Sequence, residues 1–193
     1  MSLVAGPEPD ERVIRAAARL FLTTGTVDMR AVARQLAIGR ATLYRWRGSR
    51  EVLLTDVLLW LGLRNLRRAE LDVPTPPGPQ RLLDVHALHM TRMTNSPGLR
   101  TFVRSEPSVA SRLLLDANGV VHVGMTRALA DLIQRQELAA GWRAPLGGPD
   151  RLANIMARID ETFMYADLIA NDVPSIEPPL VVFETLVGLH RPD

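Results

Sequence analysis

Residues 27–51 read VDMRAVARQLAIGRATLYRWRGSRE, and no other stretch restricts the fold as tightly. Asp28 suits an N-cap, because its carboxylate can accept from the free N–H groups that open a helix. Met29, Val32, Ala33 and Leu36 then recur at the three-and-four spacing of one helical face, which predicts a helix from Met29 to Leu36. Ala37, Ile38 and Gly39 make a turn. Arg40 to Arg47 is a second short helix, and Gly48 ends it. At ~100° per residue, Leu43 turns inward beside Leu36 and Ile38. Arg40, Ala41, Thr42, Tyr44 and Arg45 are left around the outward arc. Two short helices, a tight turn and outward arginines form the pattern of a helix-turn-helix that enters a groove of duplex DNA.

The charge distribution supports this. All 23 basic residues are arginine. Residues 1–50 hold nine Arg against Glu8, Asp10, Glu11 and Asp28, a balance of +5, whereas residues 51–193 hold fourteen Arg against seventeen acids, a balance of −3. A basic head on a slightly acidic body suits a head that binds nucleic acid and a body that senses or dimerises. A GC-rich genome would account for arginine over lysine, but not for this asymmetry. Other classes recede. No apolar run approaches the ~20 residues of a membrane helix; the longest, Leu53 to Leu63, is interrupted by Asp56. The N-terminus has no basic start followed by an apolar segment and the chain has no cysteine, so a cytoplasmic protein without disulfides is expected. No glycine-rich phosphate loop, nucleophile elbow or HExxH pattern is found, so neither catalysis nor a cofactor is expected. Glu106, Asp160 and Glu161 read as ordinary acids of helix surfaces.

Helix signals dominate throughout, and an all-α fold of about nine helices is expected. Asp10 to Thr23 is a first amphipathic helix, stopped by Gly25. Ser49 caps a long fourth helix to about Leu71. The run Val73 to Pro79 (VPTPPGP) cannot be helical and reads as a loop between helices rather than a flexible linker. Further helices follow over Gln80 to Thr94, near Leu99 to Arg104, from Pro107, over Gly119 to Ala140, from Asp150 through Ile169, and from Pro178 to about Leu189. The expected organisation is a disordered N-terminus (1–9), a helix-turn-helix domain (10–50) and a helical body for effector binding and dimerisation (51–193).

Over residues 12–54 the chain resembles the tetracycline-repressor (TetR) family of bacterial transcriptional regulators. The likeness rests on Leu20, Phe21 and Gly25, then Val32–Ala33, Ile38, Thr42–Leu43–Tyr44, and finally Trp46, Ser49 and Arg50. The chain departs from the family pattern in a short loop after Gly25, in Ala37 and Gly39 at the turn, and in Arg47, where an apolar aromatic is usual. The Arg47 charge is expected to snorkel to solvent or to a phosphate. The resemblance implies a repressor released by a ligand. It adds Arg30 to Arg40 and Arg45 as candidate base contacts, since arginine can grip a guanine edge with two hydrogen bonds and the Ala41 methyl can meet a thymine methyl. Thr42, Tyr44, Trp46 and Arg50 are expected to position the head on phosphates.

One helix-turn-helix reads few base pairs, so a homodimer on a pseudo-palindromic operator is expected. The resemblance places the interface on the last two helices, where Ile155, Ile159, Leu180, Phe183, Leu186 and Val187 make apolar faces. It places a small-molecule effector among the middle helices, with His86, His89, Met90, Met93, Phe102, Met125, Leu129 and Phe163 as candidate lining and His122 as a further polar group. The apolar body points to a largely hydrophobic effector, lipid-like, aromatic or lactone. His86 and His89 lack an acidic third ligand in reach, so no metal is expected. A helical scaffold without regulated DNA binding and, more remotely, an enzyme are the alternatives.

Overall fold

A computed structural model describes residues 9–189, and every element among them is a helix. Eleven helical segments follow in order: α1 (Pro9–Thr24), α2 (Met29–Gln35), α3 (Arg40–Arg47), α4 (Arg50–Asp72), α5 (Pro79–Thr94), α6 (Pro97–Ser105), α7 (Pro107–Leu114), α8 (Val120–Ala140), α9 (Pro149–Met164), α10 (Ala166–Ile169) and α11 (Glu177–Leu186). No helix among them is long and apolar enough to cross a membrane. The expected disordered segment falls on residues 1–8, outside the described residues, and on Pro9, which opens α1.

Local signals set most boundaries. Gly25 ends α1 at φ 70°, a left-handed conformation that costs glycine least. Asp28 caps α2 by accepting from the Arg30 N–H (2.8 Å), and Ser49 caps α4 by accepting from the Val52 N–H (3.1 Å). The proline-rich loop is pinned. Arg81 donates to the carbonyls of Glu70, Val73 and Thr75, and Gln136 accepts from the Gly78 N–H (3.1 Å).

The count of eleven exceeds the expected nine partly because the helix from Asp150 does not run through Ile169. It stops at Met164, whose carbonyl accepts from Arg100 of α6 (3.2 Å), while the Arg100 guanidinium lies over the Tyr165 ring (5.8 Å). A side chain from far along the sequence thus takes over a carbonyl at the helix end.

The long α4 is the central strut and packs against α1, α3, α5 and α8. Its first half belongs to an apolar cluster with Val13, Phe21, Val32 and Leu43 of the first three helices and Leu99, Phe102 and Val103 of α6. Its second half joins α5, α8, α9 and α11 in another cluster around Leu82, Leu132, Ile133, Met156 and Phe183. The first cluster crosses residue 50 without interruption. Phe21 and Phe102 meet edge to face at 5.7 Å, and Gly98 sits so close on the Phe21 carbonyl that a Cβ has no room. Burial of this kind fixes the angle between the first three helices and the rest.

Candidate nucleic-acid interface and effector cavity

On α3 only Leu43 is buried. Arg40, Ala41, Tyr44, Arg45 and Trp46 are exposed, Thr42 is half-buried, and Arg30 is exposed at the start of α2. Leu43 is the one apolar anchor, and the outward residues are spread around the rest of the helix. Tyr44 and Trp46 remain 48% and 42% exposed, which is unusual for large rings without a partner surface. Arg47 departs from its expected course. Its Nη2 lies 2.9 Å from Asp56 Oδ2 of α4, and its side chain is 10% exposed, so it folds back onto the strut instead of reaching outward.

Arg50 is likewise engaged inside the chain. Its guanidinium donates to both carboxylate oxygens of Glu106 (2.9 and 2.6 Å), to Thr26 Oγ1 (2.7 Å) and to the Val27 carbonyl (2.8 Å). Glu106 occupies the break between α6 and α7, where Pro107 keeps its backbone out of the helical region. Its hydrogen bonds from Arg50 hold the Glu106 carboxyl below the usual carboxylate range, against the opposing effect of burial. Such two-pronged arginine–carboxylate pairs are directional as well as strong. This one ties the loop before α2 and the start of α4 to the α6–α7 corner.

Further along α4, a cavity of about 90 Å³ opens between α4, α5, α8 and α9, with Leu99 of α6 and Leu114 of α7 also in its wall. His86, His89, Met90, Met93, Met125 and Leu129 line it, as does His122. Two other candidates do not. Phe102 is fully buried against Phe21 in the junction core, and half-buried Phe163 is absent from the lining, although its carbonyl accepts from the Ser175 N–H. Aromatic character at helical spacing does not distinguish a cavity wall from plain core.

The acids expected on helix surfaces are withdrawn from solvent, Asp160 fully and Glu106 and Glu161 in part. Asp160 is buried, with Oδ2 2.9 Å from His86 Nε2. Glu161 accepts from His122 Nδ1 (2.5 Å) and from Arg158 Nη1 (3.0 Å). Asp160 falls in register with Leu152, Met156 and Met164, at i and i+4 steps along the buried face of α9, and that register was the available signal. Tyr165 also lines the cavity, and burial pushes its phenol well above the usual value. His89 accepts at Nδ1 from Asn65 Nδ2 (2.9 Å). Burial, then the nearby His86 and Arg92, lower its pKa to about 3, so the ring is neutral. His86 and His89 therefore turn to different partners, and among the described residues no group of three or more potential metal ligands forms.

Two of the residues expected at a dimer interface are internal. Phe183 is fully buried with its ring edge to face with His86 (5.4 Å), and Val187 is buried in the same cluster. Ile155, Ile159, Leu180 and Leu186 are half-buried, while Val181 and Val182 stand out from α11 at 60% and 42% exposure. A helix that faces both a core and an outer surface carries apolar residues all round, and sequence alone does not say which side each occupies.

Comparisons with known proteins agree with this architecture. A family model described as the tetracyclin repressor-like, C-terminal domain matches residues 77–188, more than half of the chain. The structure is similar to that of the R. erythropolis transcriptional repressor QsdR from the TetR family, with 32% identity, a TM-score of 0.82, and coverage of 97% of this chain and 99% of that one. It also resembles the TetR family repressor AlkX from Dietzia sp. strain DQ12-45-1b, implicated in biodegradation of n-alkanes. That likeness has 18% identity and a TM-score of 0.67, covers 94% of this chain and 95% of the other, and concerns the fold. A comparison with curated protein sequences finds no match. With its head of three short helices, its long strut and its helical body, the chain belongs to the TetR family of transcriptional regulators.

Proposed function

We propose that the protein is a cytoplasmic, homodimeric repressor that binds a pseudo-palindromic operator and leaves it when a small, largely apolar effector enters the body. Residues 10–50 are the DNA-binding unit and residues 51–193 the sensing and dimerising unit. The observation that carries this reading is the uncovered face of α3, where Arg40, Ala41, Tyr44, Arg45 and Trp46 face solvent around a single buried anchor. Arg40, Arg45 and Arg30 read bases, while Thr42, Tyr44 and Trp46 set the head on the phosphates. Two such heads placed one helical turn of DNA apart, roughly 34 Å, supply affinity that one cannot. The outer side of α9 and α11, with Ile155, Ile159, Leu180, Leu186 and Val181, is the face offered to the second subunit.

By its place in the sequence Arg50 suits a phosphate contact. Its four bonds inside the chain favour another role, as the link between effector and DNA. Leu99 and Leu114 belong to α6 and α7, the two helices that meet at Glu106, and both residues touch the cavity. An effector that displaces these helices moves Glu106, and Glu106 pulls on Arg50 at the base of the head. Coupling of this kind requires the effector to favour one position of the corner over the other.

Fluorescence-anisotropy titrations of the full chain against DNA flanking its own coding sequence, at several salt concentrations, test the reading. A sequence-specific complex with a steep salt dependence is expected. Equal affinity for the flanking DNA and for random duplexes would reject it.

A further inference from the structure

We infer that the cavity selects a small amphiphile whose head group is uncharged and donates hydrogen bonds, an alcohol or a primary amide, and that it rejects carboxylates and donor-free esters. This rests on the effector reading above and adds the chemistry of the ligand.

The polar valences of the cavity decide the matter. Glu161 is satisfied at both oxygens, by His122 and Arg158, and His89 is bonded to Asn65. Asp160 and His86 are different. Both are more than nine-tenths buried and both line the cavity. Although His86 Nε2 approaches Asp160 Oδ2 within 2.9 Å, neither ring nitrogen of His86 makes a hydrogen bond, and Asp160 Oδ1 has none either. A carboxylate oxygen can only accept, whereas an imidazole carries at least one N–H that can donate. An alcohol or a primary amide that enters here both donates, to Asp160 Oδ1, and accepts, from the His86 ring, whereas an ester can only accept. A ligand without a donor leaves a buried acceptor unpaired, which is the costly arrangement.

Charge points the same way. The lining carries two carboxylates and no arginine, so an anionic head would lie against like charge with no guanidinium to meet it. The remaining wall is apolar or thioether, with Leu58, Leu66, Met90, Met93 and Met125 around the space for a tail. Gly62 sets its depth. A Cβ at that position would stand 2.7 Å from the Met125 sulfur, so the glycine lets Met125 lie flat against α4. At about 90 Å³ the space is smaller than the roughly 300 Å³ at the low end for drug-sized ligands, so the flexible methionines must give way to admit more than a short tail.

The test is calorimetric titration of the full chain at pH ~7.5 with four probes of matched size: hexan-1-ol, hexanamide, hexanoate and methyl pentanoate. The alcohol and amide are expected to bind at least about tenfold more tightly than the ester, the scale of one buried donor–acceptor pair, and hexanoate not at all. Asp160→Asn, which exchanges a carboxylate oxygen for an N–H₂ group, is expected to shrink the gap between alcohol and ester to less than about threefold. Gly62→Ala is expected to weaken the alcohol by pushing Met125 into the space, which ties binding to this cavity. The wild-type ranking stands as a test even if Asp160→Asn fails to fold. Hexanoate or ester equal to the alcohol, or an unchanged ranking in folded Asp160→Asn, would overturn the inference and leave an effector cavity standing. Binding of none of the four, together with no release of operator DNA by any, would overturn the effector reading and the inference with it.

Discussion

Arg40 and Arg45 stand in solvent five positions apart on one short helix, whereas His86, His122, Asp160 and Glu161 come from α5, α8 and α9 and meet inside the body. In the head the polar groups keep their water, and one buried leucine holds the helix that presents them. In the cavity the polar groups are buried and brought close to one another, at distances fixed by packing between helices. Exposed charge costs little to maintain and is free to meet a polyanion. Buried charge must be paired, and where pairing is incomplete it demands a ligand or a solvent molecule. The two regions meet at Glu106 and Arg50, a charged pair of intermediate burial.

Substitutions should separate the two regions. The largest effect is expected for Leu43→Ala, about 2–5 kcal/mol of lost stability. Hydrogen exchange should show protection falling in α2 and α3 before α8 and α9, and a uniform loss would break the distinction. Arg40→Ala should cost roughly 1–3 kcal/mol of operator affinity and relax specificity at one position per half-site, while urea denaturation shows stability changed by no more than about 0.5 kcal/mol.

Glu106→Gln sharpens the junction. It should lower stability by about 1 kcal/mol, given that the pair is part-exposed, and should weaken the coupling between effector and operator without touching DNA. Because the folded carboxyl titrates below its ordinary 4.5, its contribution is full above that pH and lost as pH falls through the folded value. Acid unfolding of the wild type should therefore be steeper than that of Glu106→Gln. The smallest effect concerns His89. Its pKa falls from 6.5 to about 3, so it stays neutral, and its stabilising contribution fades only as pH drops below 6.5 toward 3. Its ring signals should stay flat in NMR between pH 5 and 8, and a titration near 6.5 would place it in water instead.

The head was legible because its signals are local. Caps at Asp28 and Ser49, the stop at Gly48 and the inward Leu43 all act within a few residues, and α3 spans Arg40–Arg47 as expected. The body was legible only in outline. The middle helices appear near their expected positions, and six of the eight proposed lining residues do face the cavity. Phe102 and Phe183 were misplaced because a buried aromatic at helical spacing looks the same from either side of a core. Asp160 and Glu161 are not legible in the sequence because an acid reads as surface unless its partner is known. Their histidines lie 74 and 39 positions away in the chain.

The sequence by itself determined that this chain is helical, that its first fifty residues carry an arginine-bearing helix-turn-helix, and where most helices begin and end. Those properties depend on backbone hydrogen bonding and on side-chain period, which act over one or two turns. The tertiary structure alone decided that Arg50 grips Glu106, that Arg100 meets the end of α9, and that histidines and carboxylates from separate helices share one cavity. Those depend on which faces pack together, and close packing is a property of the assembled core that no short stretch of residues contains.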